Sequence, residues 1–177
     1  PQRVETSTVS VAVRLPIKGG RDNTIRAAIL RQLDRLQSNP GRRDQLVLQF
    51  DATSDEHASE SDFGRSLELA RFLTSSQMAN VKTIAYLPNG AQGHAVLVAL
   101  ACEDIVMAPN VLLGPAGRSE QRVDETVRAA YKDIAGRRRT VPSPLAVALV
   151  DPSVHVVRAI TEVGDQIVPA DRIPTLR

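Results

Sequence analysis

The first place to seek chemistry in this chain is residues 87–109, "LPNGAQGHAVLVALACEDIVMAP". A glycine-bearing loop there runs into a wholly apolar segment that reads as a helix, and a helix start directs unpaired backbone N–H groups at whatever precedes it. The loop carries His94, a residue type able to act as a general base or to contact a ligand, but no serine, cysteine or lysine. Candidate hydroxyls outside it include Ser75 and Ser76, expected at the surface near a helix end, and Ser119, in a loop that could approach His94. A serine hydroxyl is a weak nucleophile until a base takes its proton. Lysine could serve, and the lysines are Lys18, Lys82 and Lys132. Lys82 opens a strand at the end opposite Gly93, and Lys132 lies within a helix. A Ser–His pairing is one option for His94. The simpler one, which we favour, is an imidazole that hydrogen-bonds the loop backbone and steadies the turn. Asn89–Gly90 fits a turn, and Gly93 fits positive φ or close helix packing.

Two other clusters have simpler explanations than chemistry. His57 stands among Asp55, Glu56, Glu60 and Asp62. Carboxylate and imidazole both ligate metals, but the spacing matches no ligand motif. An acidic loop capping the next helix through Ser59 or Ser61 is expected instead, with no metal and no cofactor. Cys102 is the single cysteine, inside the apolar helix, so it reads as a small buried hydrophobe with no intrachain disulfide.

The elements that must position the loop follow from periodicity. "TVSVAVRL" (8–15) alternates as a strand, and Asp22 or Asn23 offers an N-cap for a helix through Ile25, Ile29, Leu33 and Leu36. "QLVLQF" (45–50) is a strand, 51–62 a polar loop, and Phe63, Leu67, Ala70 and Leu73 mark a second helix. "VKTIAYL" (81–87) is a strand, 94–102 a buried helix, 104–108 a strand, and "VLLG" (111–114) a further short one. An amphipathic helix is expected over 120–139, its Arg137–Arg138–Arg139 end solvated, then a short helix within "VPSPLAVALVDP". "VHVVRAI" and "QIVP" read as a hairpin. Strands alternating with helices argue a largely parallel sheet with helices outside.

Composition bounds the remainder. A chain of 177 residues suits a sizeable core, with roughly 70% of the unfolded surface buried. Aromatics are only 3%, so the core must be aliphatic, and a net charge of +2 without a basic stripe argues against nucleic-acid binding. No run approaches the ~20 apolar residues of a membrane span. The chain opens on Pro1, which points to a processed part of something longer.

The stretch "VKTIAYLPNGAQGHAVLVALACEDIVMAP", followed by "LLGPAG" and "AAYKDIAGRRR", resembles the Clp-protease/crotonase superfamily. Within it the resemblance is to the protease domains of NfeD-type and signal-peptide-peptidase-A-type membrane-bound serine proteases. It runs from about residue 45 onward and is densest over 81–139. It implies an α/β fold, a spiral of β-β-α units with a largely parallel sheet and outer helices, over residues 1–152. Residues 153–177 would be a C-terminal β-hairpin extension cut from a longer membrane protein. In that family a serine opens the buried helix, a lysine on a later helix deprotonates it, and loop glycines bind the oxyanion. Aligned on "VALA" (98–101), the serine position falls on Gly93, followed by His94. The base position, counted back from "YKDIA" (131–135), falls near Arg122, and arginine does not give up its proton. The glycine pair of the oxyanion loop falls near Ser54 and Asp55, where a carboxylate would repel an oxyanion.

With nucleophile, base and oxyanion loop all departing from the pattern, the resemblance implies a serine-protease homologue with no intact catalytic residue, a pseudoenzyme. Its expected role is peptide or protein binding, or membrane-associated scaffolding. Two alternatives stay open: an active serine peptidase with a relocated nucleophile, and an acyl-coenzyme-A-binding protein of the crotonase branch, which "NG" and "ALAC" also resemble. Against the latter, "LLGPAGR" offers no carboxylate before Glu120. The resemblance further implies a homo-oligomer, a peptide or membrane-protein partner, and a soluble extracytoplasmic position tethered to a membrane.

Overall fold

Val11 and Val13 alternate with Ser10, Ala12 and Arg14, and the first strand, β1 (Thr8–Arg14), buries the valines and exposes the other three. The same period of two runs through β2 (Asp44–Asp51) and β3 (Val81–Leu87), while the short β4 (Asp104–Met107) passes from half-buried to exposed. The computed structural model describes residues 7–36, 43–51, 58–117, 123–162 and 164–175. In it these strands form one parallel sheet in the order β1-β2-β3-β4.

Parallel neighbours need crossovers, supplied by α1 (Arg21–Leu33), α2 (Phe63–Leu73) and α3 (Ala95–Leu100). A sheet that advances in one direction through right-handed crossovers gathers its connecting helices on one face. Burial follows that rule. The register aligns Val11 with Leu48, Leu48 with Ala85 and Ala85 with Ile105 on the covered face, and the first three are buried. On the reverse face Ala12 aligns with Gln49, Gln49 with Tyr86 and Tyr86 with Val106, and all four are exposed.

Two further helices complete the covered side: α4 (Glu125–Arg138), against α2 and α3, and α5 (Ser143–Val150), against α4. The expected hairpin forms as β5 (Val156–Thr161) and β6 (Gly164–Pro169), antiparallel, touching α5. The core is aliphatic except for a few rings, Tyr131 and Phe50 being its largest fully buried side chains. The fold is thus the expected α/β arrangement of a parallel sheet with flanking helices.

The element ends differ from expectation for physical reasons. Helix α1 starts behind Gly20, whose φ of 89° only glycine adopts cheaply, so Asp22 sits in the first turn rather than at the cap. Its carboxylate pairs with Arg65 at 3.0 Å. The cap of α2 is Asp62, which accepts from the Arg65 N–H at 2.9 Å. Ser61, an expected cap, instead accepts the buried Ile17 N–H at 2.9 Å, and Ser59 gives α2 no cap either. Helix α4 begins at Glu125 behind its cap Asp124; its expected earlier start falls in 118–122, outside the described residues. Of 111–114, only Leu113 bridges, with Ala91. Helix α3 is cut short because the Glu103 N–H is taken by Thr83, through both its carbonyl (2.9 Å) and its hydroxyl (3.1 Å), which draws the chain into β4.

Candidate functional site

The loop from Pro88 to His94 joins β3 to α3 and is held from two sides. Ala91 donates its N–H to the Leu112 carbonyl at 3.1 Å and accepts from the Gly114 N–H at 2.8 Å. Gly93 donates to the Pro115 carbonyl at 3.0 Å. These amides point toward the start of a helix, the usual place for an anion, but their hydrogens are used within the fold. Gly93 has φ +61°, and a Cβ built on it would lie 1.8 Å from the Ser59 carbonyl oxygen. That approach is far inside van der Waals contact with backbone, so any side chain at 93 would require the segment around Ser59 to move.

His94 is 2% exposed. Its Nδ1 lies 3.2 Å from the Tyr131 hydroxyl, and Phe63 meets the imidazole edge-on with ring centres 5.2 Å apart. One hydrogen-bond partner of the imidazole is therefore a side chain on α4. The helix behind it is closed on all sides: Ala95 to Cys102 are at most 1% exposed. Burial pushes the Cys102 thiol up to about 12, with Arg138 and Thr83 opposing, so it remains a neutral, unreactive SH at physiological pH.

Of the remaining sequence candidates, those within the described residues do not gather here. Arg122, Ser54 and Asp55 lie outside the described residues, as do Ser119 and His57. Lys132 is exposed on α4 beside Tyr131, and Lys82 pairs with Asp104 at 2.6 Å across the start of β3 and β4. Ser75 donates to the Phe72 carbonyl at 2.7 Å, and Ser76 is exposed. The Ser66 hydroxyl, buried one turn after Phe63, has no hydrogen-bond partner among the described residues.

What sequence reasoning missed is the set of neighbours: Tyr131, Phe63 and the Ser59 carbonyl. Tyr131 lies on the buried face of its amphipathic helix. Its hydroxyl was the available signal, since a buried phenol needs a partner. The arginine run also divides. Arg137 pairs with Asp133 on the surface, whereas Arg138 turns inward. Its guanidinium donates to the Ala101 carbonyl at 2.8 Å, to Glu103 at 3.0 Å and to the Leu73 carbonyl, closing the C-terminal ends of α3 and α2 together. The expected solvated end holds for Arg137 and fails for Arg138.

Solved structures with this arrangement are known. Two variants of the 1510-N membrane-bound stomatin-specific protease match it. One, with a serine replaced by alanine, has a TM-score of 0.60 and 12% identity over 98% of this chain and 78% of that one. The other, with a lysine replaced by alanine and bound to a substrate peptide, has a TM-score of 0.56 and 11% identity over 98% and 74%. A Pseudomonas aeruginosa protein matches at a TM-score of 0.51 with 17% identity over 98% and 72%. No family model matches the sequence, and no curated protein does. The likeness is one of fold, of the Clp/NfeD-like protease type, and it takes in β1 and α1, upstream of the region where the sequence resemblance begins.

Proposed function

We propose that this chain is a Clp/NfeD-type protease-fold domain that binds peptide or protein segments without cleaving them. The observation that carries the reading is the closed position at Gly93. The residue aligned with the family's serine has no side chain, its N–H is donated to Pro115, and a Ser59 carbonyl stands where a Cβ would be. Peptide cleavage needs a nucleophile, a base to deprotonate it and free N–H donors for the oxyanion. At this loop the first is missing and two of the nearest donors are committed. His94 could supply the second function, but Tyr131 and Phe63 enclose it, which fits a packing role.

The reading includes a position beside a membrane and assembly into a homo-oligomer. Support for the first is that two neighbours in fold are described as membrane-bound. Among the described residues no helix is long and apolar enough to cross a membrane. Support for the second is the exposed row through Tyr86 and Val106, since parallel sheets are ordinarily covered on both faces.

The test is reaction of the pure protein with a serine-directed fluorophosphonate. We expect no serine to label. Stoichiometric labelling at one serine, lost on its replacement by alanine, would establish a relocated nucleophile and end this reading.

A further inference from the structure

The first strand is an open edge. Gln45 donates its N–H to the Ser7 carbonyl at 2.9 Å, and Leu15 donates to the Asp51 carbonyl at 3.2 Å. In a parallel ladder alternate residues face the neighbour, so the odd-numbered residues of β1 turn their backbone groups to β2. Thr8, Ser10, Ala12 and Arg14 turn theirs outward, and among the described residues no strand pairs with them. At seven residues this edge is nearly twice the length of the β4 edge at the sheet's other side, which has four. It has no proline, lysine or bulge to deter pairing. A groove of about 290 Å³ lies beside its C-terminal half, lined by Ala12 and Arg14 of β1 and by Arg21, Thr24, Ile25 and Ala28 of α1.

The groove's charge is one-sided. Among the described residues, two arginines line it and no acidic residue does. Arg21 donates to the Pro16 carbonyl at 3.0 Å, which fixes it in place. Arg14 makes no ion pair among the described residues, although Asp51 is its register partner on β2. A second copy of the chain joined edge to edge would bring two more arginines to the same seam without an acid to match them. An extended segment with acidic side chains complements it.

We infer that the outer edge of β1 takes up an extended acidic peptide segment as a fifth strand, its backbone pairing with Ser10, Ala12 and Arg14 and its carboxylates meeting Arg14 and Arg21. This rests on the binding reading above and assigns it a place in the fold. Main-chain hydrogen bonds supply the affinity, and the arginines supply the preference for acid.

The probe is a fluorescein-labelled heptapeptide alternating valine and glutamate, with its valine–lysine counterpart as comparison, read by anisotropy and by amide hydrogen exchange. The expected result is saturable binding of the acidic peptide and about tenfold weaker binding of the basic one, the size of one or two exposed charge pairs. Exchange should slow at Ser10, Ala12 and Arg14. Arg14→Glu should shift the preference toward the basic peptide. Ala12→Pro removes an outward N–H while leaving the β1–β2 ladder its bonds, and should abolish binding with folding intact by circular dichroism; if that variant does not fold, Arg14→Glu decides. Equal binding of both peptides, or no saturation, overturns the inference. Protection confined to residues 91–94 also overturns it while leaving peptide binding itself standing. A dimer in light scattering that Ala12→Pro disperses assigns the edge to a second copy and equally overturns it. Serine labelling by the fluorophosphonate would sink the non-cleaving reading and leave the β1 result untouched.

Discussion

The segment Gly93–Cys102 and the strand Thr8–Arg14 are both short, both rich in small aliphatic residues, and both sit beside a place where a peptide could act. The first is enclosed by backbone and rings: the Ser59 carbonyl against Gly93, Phe63 and Tyr131 against His94, and Arg138 across the far end of α3. The second has every other side chain exposed and half its backbone groups turned outward. In the family this fold resembles, the first region is where chemistry is done. Here it has the marks of a packed core, and the open hydrogen-bonding capacity lies two strands away. A fold can therefore hold its architecture while its accessible binding capacity lies elsewhere in the sheet.

Serine placed in the closed region should have the largest effect. Gly93→Ser puts a side chain at φ +61° and 1.8 Å from a carbonyl oxygen, so we expect a loss of about 3 kcal/mol or more, or failure to fold. Any folded fraction should hydrolyse no peptide. Denaturant melts and a peptidase assay check both, and a stable, active variant would mean that the loop opens readily.

Arg138→Ala comes next. Its side chain is 14% exposed and holds two helix-end carbonyls and Glu103. Glu103 also receives Arg43 at 2.6 Å, so its charge would not be wholly stranded. We expect a loss of about 2–4 kcal/mol in urea unfolding, most of it from carbonyls left buried and unpaired. A loss near that of a surface salt bridge would show that water reaches those groups.

Asp151→Asn should be smaller and depend on pH. Its carboxyl is held below the usual range chiefly by the Ser153 hydroxyl, with the Ser153 N–H and Arg128 adding and burial opposing. A carboxyl depressed in the folded state contributes stability above its unfolded value, about 3.9, and loses it as pH falls through the folded one. The gap in Tm between wild type and variant should thus be widest at neutral pH and close progressively in acid below about pH 4. A gap constant with pH would mean that the carboxylate's charge contributes nothing.

The smallest effect belongs to the open strand. Ala12→Ser adds the same hydroxyl as the first variant, but to an exposed position, and we expect a change within about 0.5 kcal/mol. A larger loss would show that the β1 edge is covered in solution, which would weaken the contrast between the two regions.

Much of the architecture was legible from residue patterns. Val11 and Val13 against Ala12 and Arg14 gave β1, and the unbroken apolar run at 95–102 gave the buried helix, because burial is a sum over neighbours that periodicity already encodes. Element ends were less legible. Ser59, Ser61, Asp62, Asp22 and Asn23 are all good cap types, and choosing Asp62 and Gly20 depends on where the chain must turn to meet the sheet. Of the candidate site, Gly93 and His94 could be named but not their surroundings.

By itself the sequence determined that the residue opening the buried helix carries no nucleophile, that the core is aliphatic, and that strands and helices alternate into a parallel sheet. The tertiary structure decided what closes that position and what remains open. The Ser59 carbonyl reaches Gly93 from 34 residues away in sequence, the Tyr131 hydroxyl reaches His94 from 37, and β1 stands at the edge of the sheet, among the described residues, because the sheet advances from it in one direction. Local pattern fixes which side chains want burial, whereas contacts between segments distant in the chain fix which atoms meet, and a site is made of the latter.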